Sequence, residues 1–159
     1  MRELILASTS PWRRRILENA GVRIRTVPSE VDESKCAEAD PVQHALVLAR
    51  WKAEAVSRQY PQLHVLGSDQ VMWDGERVHG KPTDPDAHVK MLKALRGKDH
   101  WLYTGYCIVG PSMRDSDERD AHQCREEKVV ETRLRIRGTL TDEEICAYVH
   151  TGEGSQCAG

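Results

Sequence analysis

Short apolar blocks alternate with amphipathic stretches along the whole chain. Leu4-Ile5-Leu6-Ala7 is a continuous apolar run of strand length. Ser10-Pro11 then supplies an N-cap with proline at the first helical position. Ile16, Leu17 and Ala20 give the helix that follows an apolar side, and Gly21 ends it. Val22 to Val27 alternates with period two, the pattern of a half-exposed strand. Asp40-Pro41 opens a long helix by the same cap-and-proline rule, with Val42, Ala45, Leu46, Ala49, Ala53, Val56 and Tyr60 on one face. His64 to Ser68 reads as a strand that continues in extended form through Val71 to Trp73, up to the Asp74-Gly75 hairpin turn. Asp84-Pro85 opens a further helix with a stripe at His88, Met91, Leu92 and Leu95, closed by Gly97. Two strands, 100–109 and 128–137, flank a charged connection over 110–127 that reads as a hairpin tip. Thr141 begins a capping box for a last helix with Ile145, Tyr148 and Val149 on one side. The alternation predicts an α/β fold in one continuous domain over 1–159.

Composition limits the class. Hydrophobic residues make up 39% and charged residues 30% of 159, the range of a globular chain with a core. The apolar runs fall far short of the roughly 18 residues a membrane span needs. The apolar stretch at the N-terminus is too short for a signal peptide. Five cysteines, odd in number and never spaced C-x-x-C, argue for free thiols in a reducing, cytoplasmic setting. The seven histidines form no ligand pair at helical spacing. A net charge of -2 removes nucleic-acid wrapping as a default function, and no membrane partner is expected.

Local charge changes the picture. Residues 1–28 carry six arginines against two acids, and Arg13, Arg14 and Arg15 fall in the first turn of the first predicted helix. A strand, a Ser8-Thr9-Ser10 loop and a helix N-terminus with basic residues together make an anion site; a solvated helix face is the plainer alternative. Lys52 lies at the edge of the apolar stripe of the long helix, either as a stem covering core or as a cation turned toward a site. Asp69 interrupts an apolar extended run, where it either caps loop amides or carries chemistry. Lys81, in Gly80-Lys81-Pro82, is held in extended geometry by the proline behind it. Ser8, Ser10, Arg13, Lys52 and Lys81 with the acids Asp32, Glu33 and Asp69 match what polyphosphate hydrolysis demands. Cations neutralise phosphate, and carboxylates hold a metal or position water.

Several motifs stand in order: Leu-Ile-Leu-Ala-Ser-Thr-Ser-Pro-Trp-Arg-Arg (4–14), Val-Asp-Glu (31–33), Ala-Arg-Trp-Lys-Ala (49–53), Gly-Ser-Asp-Gln-Val (67–71), Gly-Lys-Pro (80–82), Tyr-Thr-Gly (103–105), Glu-Thr-x-Leu-x-Ile (131–136), Leu-Thr-Asp-Glu-Glu-Ile-x-x-Tyr (140–148) and Cys-Ala-Gly (157–159). Together they resemble the Maf family of nucleotide pyrophosphatases. The resemblance implies hydrolysis of a nucleoside triphosphate to monophosphate and pyrophosphate with a divalent cation, Mg2+ or Mn2+. It also implies an elongated fold shared with inosine-triphosphatase-like enzymes, a mixed central sheet flanked by helices, and a homodimer. Carried over, Asp69 would be the general base or water-positioning acid, with Glu33 assisting through the metal that both hold. Arg13, Lys52 and Lys81 would bind phosphates, with Ser8 and Ser10 at the helix start.

Trp12 and Gln70 resemble the branch of that family acting on 7-methyl-GTP; most members acting on dTTP and UTP have arginine and threonine there. An indole face attracts a cationic 7-methylguanine ring by roughly 0.5–2 kcal/mol, where an arginine would repel it. A carboxamide at Gln70 offers donor and acceptor to a base edge; packing at the helix start is the plainer role for Trp12. The alternatives are a dTTP/UTP-type or broad non-standard nucleotide pyrophosphatase, or a weakly active nucleotide-binding protein. The last follows from the stop at Gly159, where members of the family continue; against them the chain is expected to be C-terminally short, with weakened base selectivity.

Overall fold

The computed structural model describes residues 3–111 and 123–155. Most of the charged connection and the final Cys157-Ala158-Gly159 lie outside the described residues. Six strands form one mixed sheet flanked by helices: β1 (Leu4–Ala7), β2 (Ile24–Thr26), β3 (His64–Trp73), β4 (Val78–His79), β5 (Asp99–Pro111) and β6 (Gln123–Arg135). The order is β2-β1-β3-β5-β6, with β4 beside β3. β1 runs parallel to both β2 and β3, and β4 is antiparallel to β3. The described residues fall into two compact units, within Met1–Asp69 and Thr104–Val129, and within Gln70–Tyr103 and Val130–Gly159.

The first unit is built on β1 and the long helix α2 (Pro41–Ser57). Asp40 caps α2 by accepting from the Gln43 amide at 2.8 Å, and Pro41 fills the first turn. Val56 of α2 closes a core with Ile5, Ala7 and Val65, while Ala49 and Ala53 pack with Cys107 and Val109. The predicted stripe omits Leu48, which is buried, and includes Tyr60, which lies beyond the helix end. α1 (Pro11–Asn19) starts on Ser10 as the pattern predicts. Its expected apolar side is not covered among the described residues: no residue of α1 is buried, and Ile16 is 68% exposed. β2 is shorter than the alternation over 22–27, because the Val22 amide bonds back to Leu17 beyond Gly21 at φ +77°.

The second unit holds α3 (Pro85–Leu95) and α4 (Asp142–His150), which pack on each other. Asp142 accepts from Lys93 and Arg96, both at 2.8 Å, tying the start of α4 to the end of α3. Met72 and Leu95 form the core here, with Met91, Leu102 and Ile136 against it. The Asp74-Gly75 turn leads into β4 as expected, Gly75 taking φ +102°. Thr141 and Glu144 form the predicted capping box. Among the described residues, no helix is long and apolar enough to cross a membrane.

Candidate active site

Eight of the residues singled out from the sequence lie in the first unit: Ser8, Ser10, Trp12, Arg13, Asp32, Glu33, Lys52 and Asp69. The chain leaves β1 at Ser8, whose buried hydroxyl accepts from the Ser10 amide at 3.2 Å and from Arg13 Nη1 at 3.1 Å. Ser10 caps α1, accepting from the Arg13 amide at 3.5 Å. Ser8 thus fixes both the approach to the helix and the direction of the Arg13 guanidinium. The positive end of the helix and the guanidinium beside it form an anion cradle.

Opposite charges meet at Lys52. Its side chain, 7% exposed, places Nζ 2.6 Å from Asp69 Oδ1 and 2.7 Å from Glu33 Oε1. The plainer role of a stem covering core is therefore incomplete: the stem is buried and the ammonium joins two carboxylates. Glu33 is presented by a single 3-10 turn, Glu33–Lys35. Asp32 belongs to that turn rather than to the acid pair, accepting from the amide and hydroxyl of Ser34 at 3.2 and 2.5 Å. Asp69 is 10% exposed, Glu33 56%. Burial pushes the Asp69 carboxyl above the ordinary carboxylate range, against the pull of Lys52 and, more weakly, Arg13.

Trp12 stands on the first turn of α1, 47% exposed, so its indole is not consumed by packing at the helix start. Gln70 and Lys81 belong to the second unit. Gln70 is half-buried on β3 directly after Asp69, and Lys81 is exposed between β4 and α3.

Residues 3–159 match the model of the Maf-like protein family. The chain belongs to the Maf family. A nucleoside triphosphate pyrophosphatase of Trichormus variabilis is 36% identical over 157 residues, spanning 99% of this chain and 75% of that protein. A dTTP/UTP pyrophosphatase of Koribacter versatilis is 37% identical over 159 residues, spanning 98% and 75%. Among solved structures, the Staphylococcus aureus Ham1 protein aligns with a TM-score of 0.48 at 15% identity, over 82% of this chain and 70% of that one.

The sequence resemblance implies a divalent cation, and the acid pair of this Maf chain is the candidate to hold it. Among the described residues no cluster of three or more His, Cys, Asp or Glu could hold a metal. Asp69 and Glu33 nonetheless aim one oxygen each at a single positive centre. Two carboxylates, with phosphate oxygens and water completing the shell, is how magnesium is commonly held in nucleotide sites, so the donor set fits.

Gly67 shapes the ground under Lys52 and Asp69 without standing out in the sequence pattern. A Cβ on Gly67 would meet the Ala49 carbonyl oxygen at 2.1 Å and the Ala53 nitrogen at 2.5 Å. α2 therefore rests directly on the strand that carries Asp69, and Ala49 and Ala53 flank Lys52 on both sides. The available signal was small residues every fourth position in α2 facing a glycine two places before an out-of-pattern aspartate.

Proposed function

We propose that the chain is a hydrolase that cleaves a nucleoside triphosphate to its monophosphate and pyrophosphate, with 7-methyl-GTP as preferred substrate. The observation that carries the hydrolase is Asp69, a buried carboxylate held by Lys52 in the unit that also carries the Ser8–Arg13 anion cradle. The names of the Trichormus and Koribacter relatives support the same reaction class.

The residues divide the work as follows. Arg13 and the positive end of α1 bind phosphate oxygens, with Ser8 holding the guanidinium in place. Asp69 orients a water molecule and takes its proton as the water oxygen bonds to the α-phosphorus. The bond from that phosphorus to the bridging oxygen breaks, and pyrophosphate leaves with its charge spread over the surrounding cations. A divalent cation, when held by Asp69 and Glu33, supplies further neutralisation of phosphate charge.

The preference for the methylated base rests on Trp12. Its exposed indole, one residue before Arg13, suits a cationic purine, and Gln70 suits a base edge. The name of the Koribacter relative favours a second reading, action on dTTP and UTP. Steady-state rates on 7-methyl-GTP, GTP, dTTP and UTP separate the two. On the first reading kcat/KM for 7-methyl-GTP exceeds that for GTP by about tenfold, a difference of about 1.4 kcal/mol within the reach of one cation–π contact. Equal rates on the two guanine nucleotides would remove the role of Trp12, and dominant turnover of dTTP and UTP would establish the second reading. Hydrolysis in 18O-water should place the label in the monophosphate; label in pyrophosphate would refute attack at the α-phosphorus.

A further inference from the structure

Lys52 stands where a small cation would stand. Its Nζ is 2.6 Å from Asp69 Oδ1 on β3 and 2.7 Å from Glu33 Oε1 on the 3-10 turn, so carboxylates from two separate elements converge on one positive point. A magnesium ion bound to the same oxygens would occupy that point, each oxygen closing in by roughly half an ångström to reach about 2.0–2.1 Å. The ammonium and a divalent ion cannot share it, because both the space and the sign of charge forbid it. The lysine stem is buried in α2 between Ala49 and Ala53, and its ammonium ends a flexible four-carbon chain. Glu33 is the more exposed carboxylate and the freer to adjust.

We propose that the Lys52 ammonium is a resident cation that keeps a divalent metal out of the free site, and that the metal is admitted only together with a triphosphate. The triphosphate supplies oxygens that draw the ammonium outward, and the two carboxylates are then left to a cation of higher charge. The inference rests on the site taking a metal-bound triphosphate. It extends that reading by giving Lys52 two successive partners and by making metal affinity conditional on nucleotide. It also accounts for a lysine whose charge is satisfied by carboxylates in a site that must bind phosphate.

The test is Mn2+ binding to the full chain without nucleotide, followed by the electron paramagnetic resonance signal of free Mn2+. Wild type should show no site that depends on Asp69. Lys52→Met should bind Mn2+ at least about tenfold more tightly, and Lys52→Arg, which keeps the charge, should behave as wild type. Adding Asp69→Asn to Lys52→Met should abolish the gain. A wild-type Mn2+ site as tight as that of Lys52→Met, and lost in Asp69→Asn, would overturn the proposal. So would a gain that persists without the Asp69 carboxylate. Lys52→Gln, which keeps a donor without the charge, replaces Lys52→Met should the latter fail to fold, and a wild-type Mn2+ site that Asp69→Asn abolishes overturns the proposal even without either. No turnover is needed: an inactive wild type would sink the hydrolase assignment, while the Mn2+ titrations judge the resident cation.

Discussion

A Cβ on Gly67 would lie 2.1 Å from the carbonyl oxygen of Ala49, closer than any side-chain shift could relieve, because the obstacle is backbone. The height of α2 over β3 is thus set at the residue pair that flanks Lys52 and precedes Asp69. Gly67→Ala should lift the helix, cost about 1–3 kcal/mol of stability as overpacking does, and lower kcat/KM by about tenfold or more. Gly105→Ala is the matched control. Its Cβ would meet the Ala45 carbonyl oxygen at 2.4 Å, crowding the same helix about two turns from Lys52. Similar losses of unfolding free energy with a larger kinetic loss for Gly67→Ala are expected. Equal kinetic losses would mean that helix height at Lys52 has no special bearing on the reaction.

On the proposed mechanism, Asp69 should set the acid limb of the rate profile. Burial raises its carboxyl above the ordinary value of 3.8, and Lys52 and Arg13 pull the other way without cancelling the rise. The active form is the ionised one, so kcat/KM should climb with pH through a midpoint above that of an exposed aspartate. Asp69→Asn should remove this limb and lower kcat by about 10²–10⁴-fold, the range for a lost general base. A midpoint at or below the exposed value in wild type would show that a different group controls the limb.

The caps were the most legible part of the chain. Ser10, Asp40, Asp84 and Thr141 each accept from an amide three residues on, a contact that local sequence alone determines. The grouping of Ser8, Arg13, Glu33, Lys52 and Asp69 was legible as chemistry because phosphate hydrolysis restricts which residue types can serve. Its internal wiring was not. Lys52 reads from the sequence as a stem over core or as a cation for phosphate, and its contact with both acids depends on how far α2 stands from β3, a tertiary distance. The burial of Leu48 and the uncovered face of α1 have the same origin, since periodicity names a face and not what lies against it.

Ser8 offers one hydroxyl to two donors, the Ser10 amide and Arg13 Nη1. Removing it should leave α1 capped by Ser10 but release the guanidinium. A hydrogen bond from a charged donor contributes about 1.5–3 kcal/mol, so Ser8→Ala should raise KM for the triphosphate about tenfold or more. The chemical step does not involve Ser8, and kcat should stay within about twofold. A collapse of kcat at unchanged KM would place Ser8 in the chemical step instead.

His100 gives the second unit a sensitivity to acid. The ring is buried, and its Nδ1 has no hydrogen-bond partner among the described residues. Burial lowers its pKa below 6.5, with Asp99 opposing; burial lowers that of His88 as well. Both rings are thus neutral in the fold, whereas the unfolded chain takes up protons as pH falls through about 6.5. Stability is therefore fully present above that value and declines as pH falls toward the lower folded values. His100→Phe removes one ring from this linkage and also the unsatisfied buried nitrogen, so at pH 7 it should unfold at the same or a higher urea midpoint. Between pH 7 and 5 its midpoint should fall less than that of wild type, the remainder coming from His88. An equally steep fall in the variant would show that His100 takes up no proton on unfolding in this range, and that the acid sensitivity lies elsewhere.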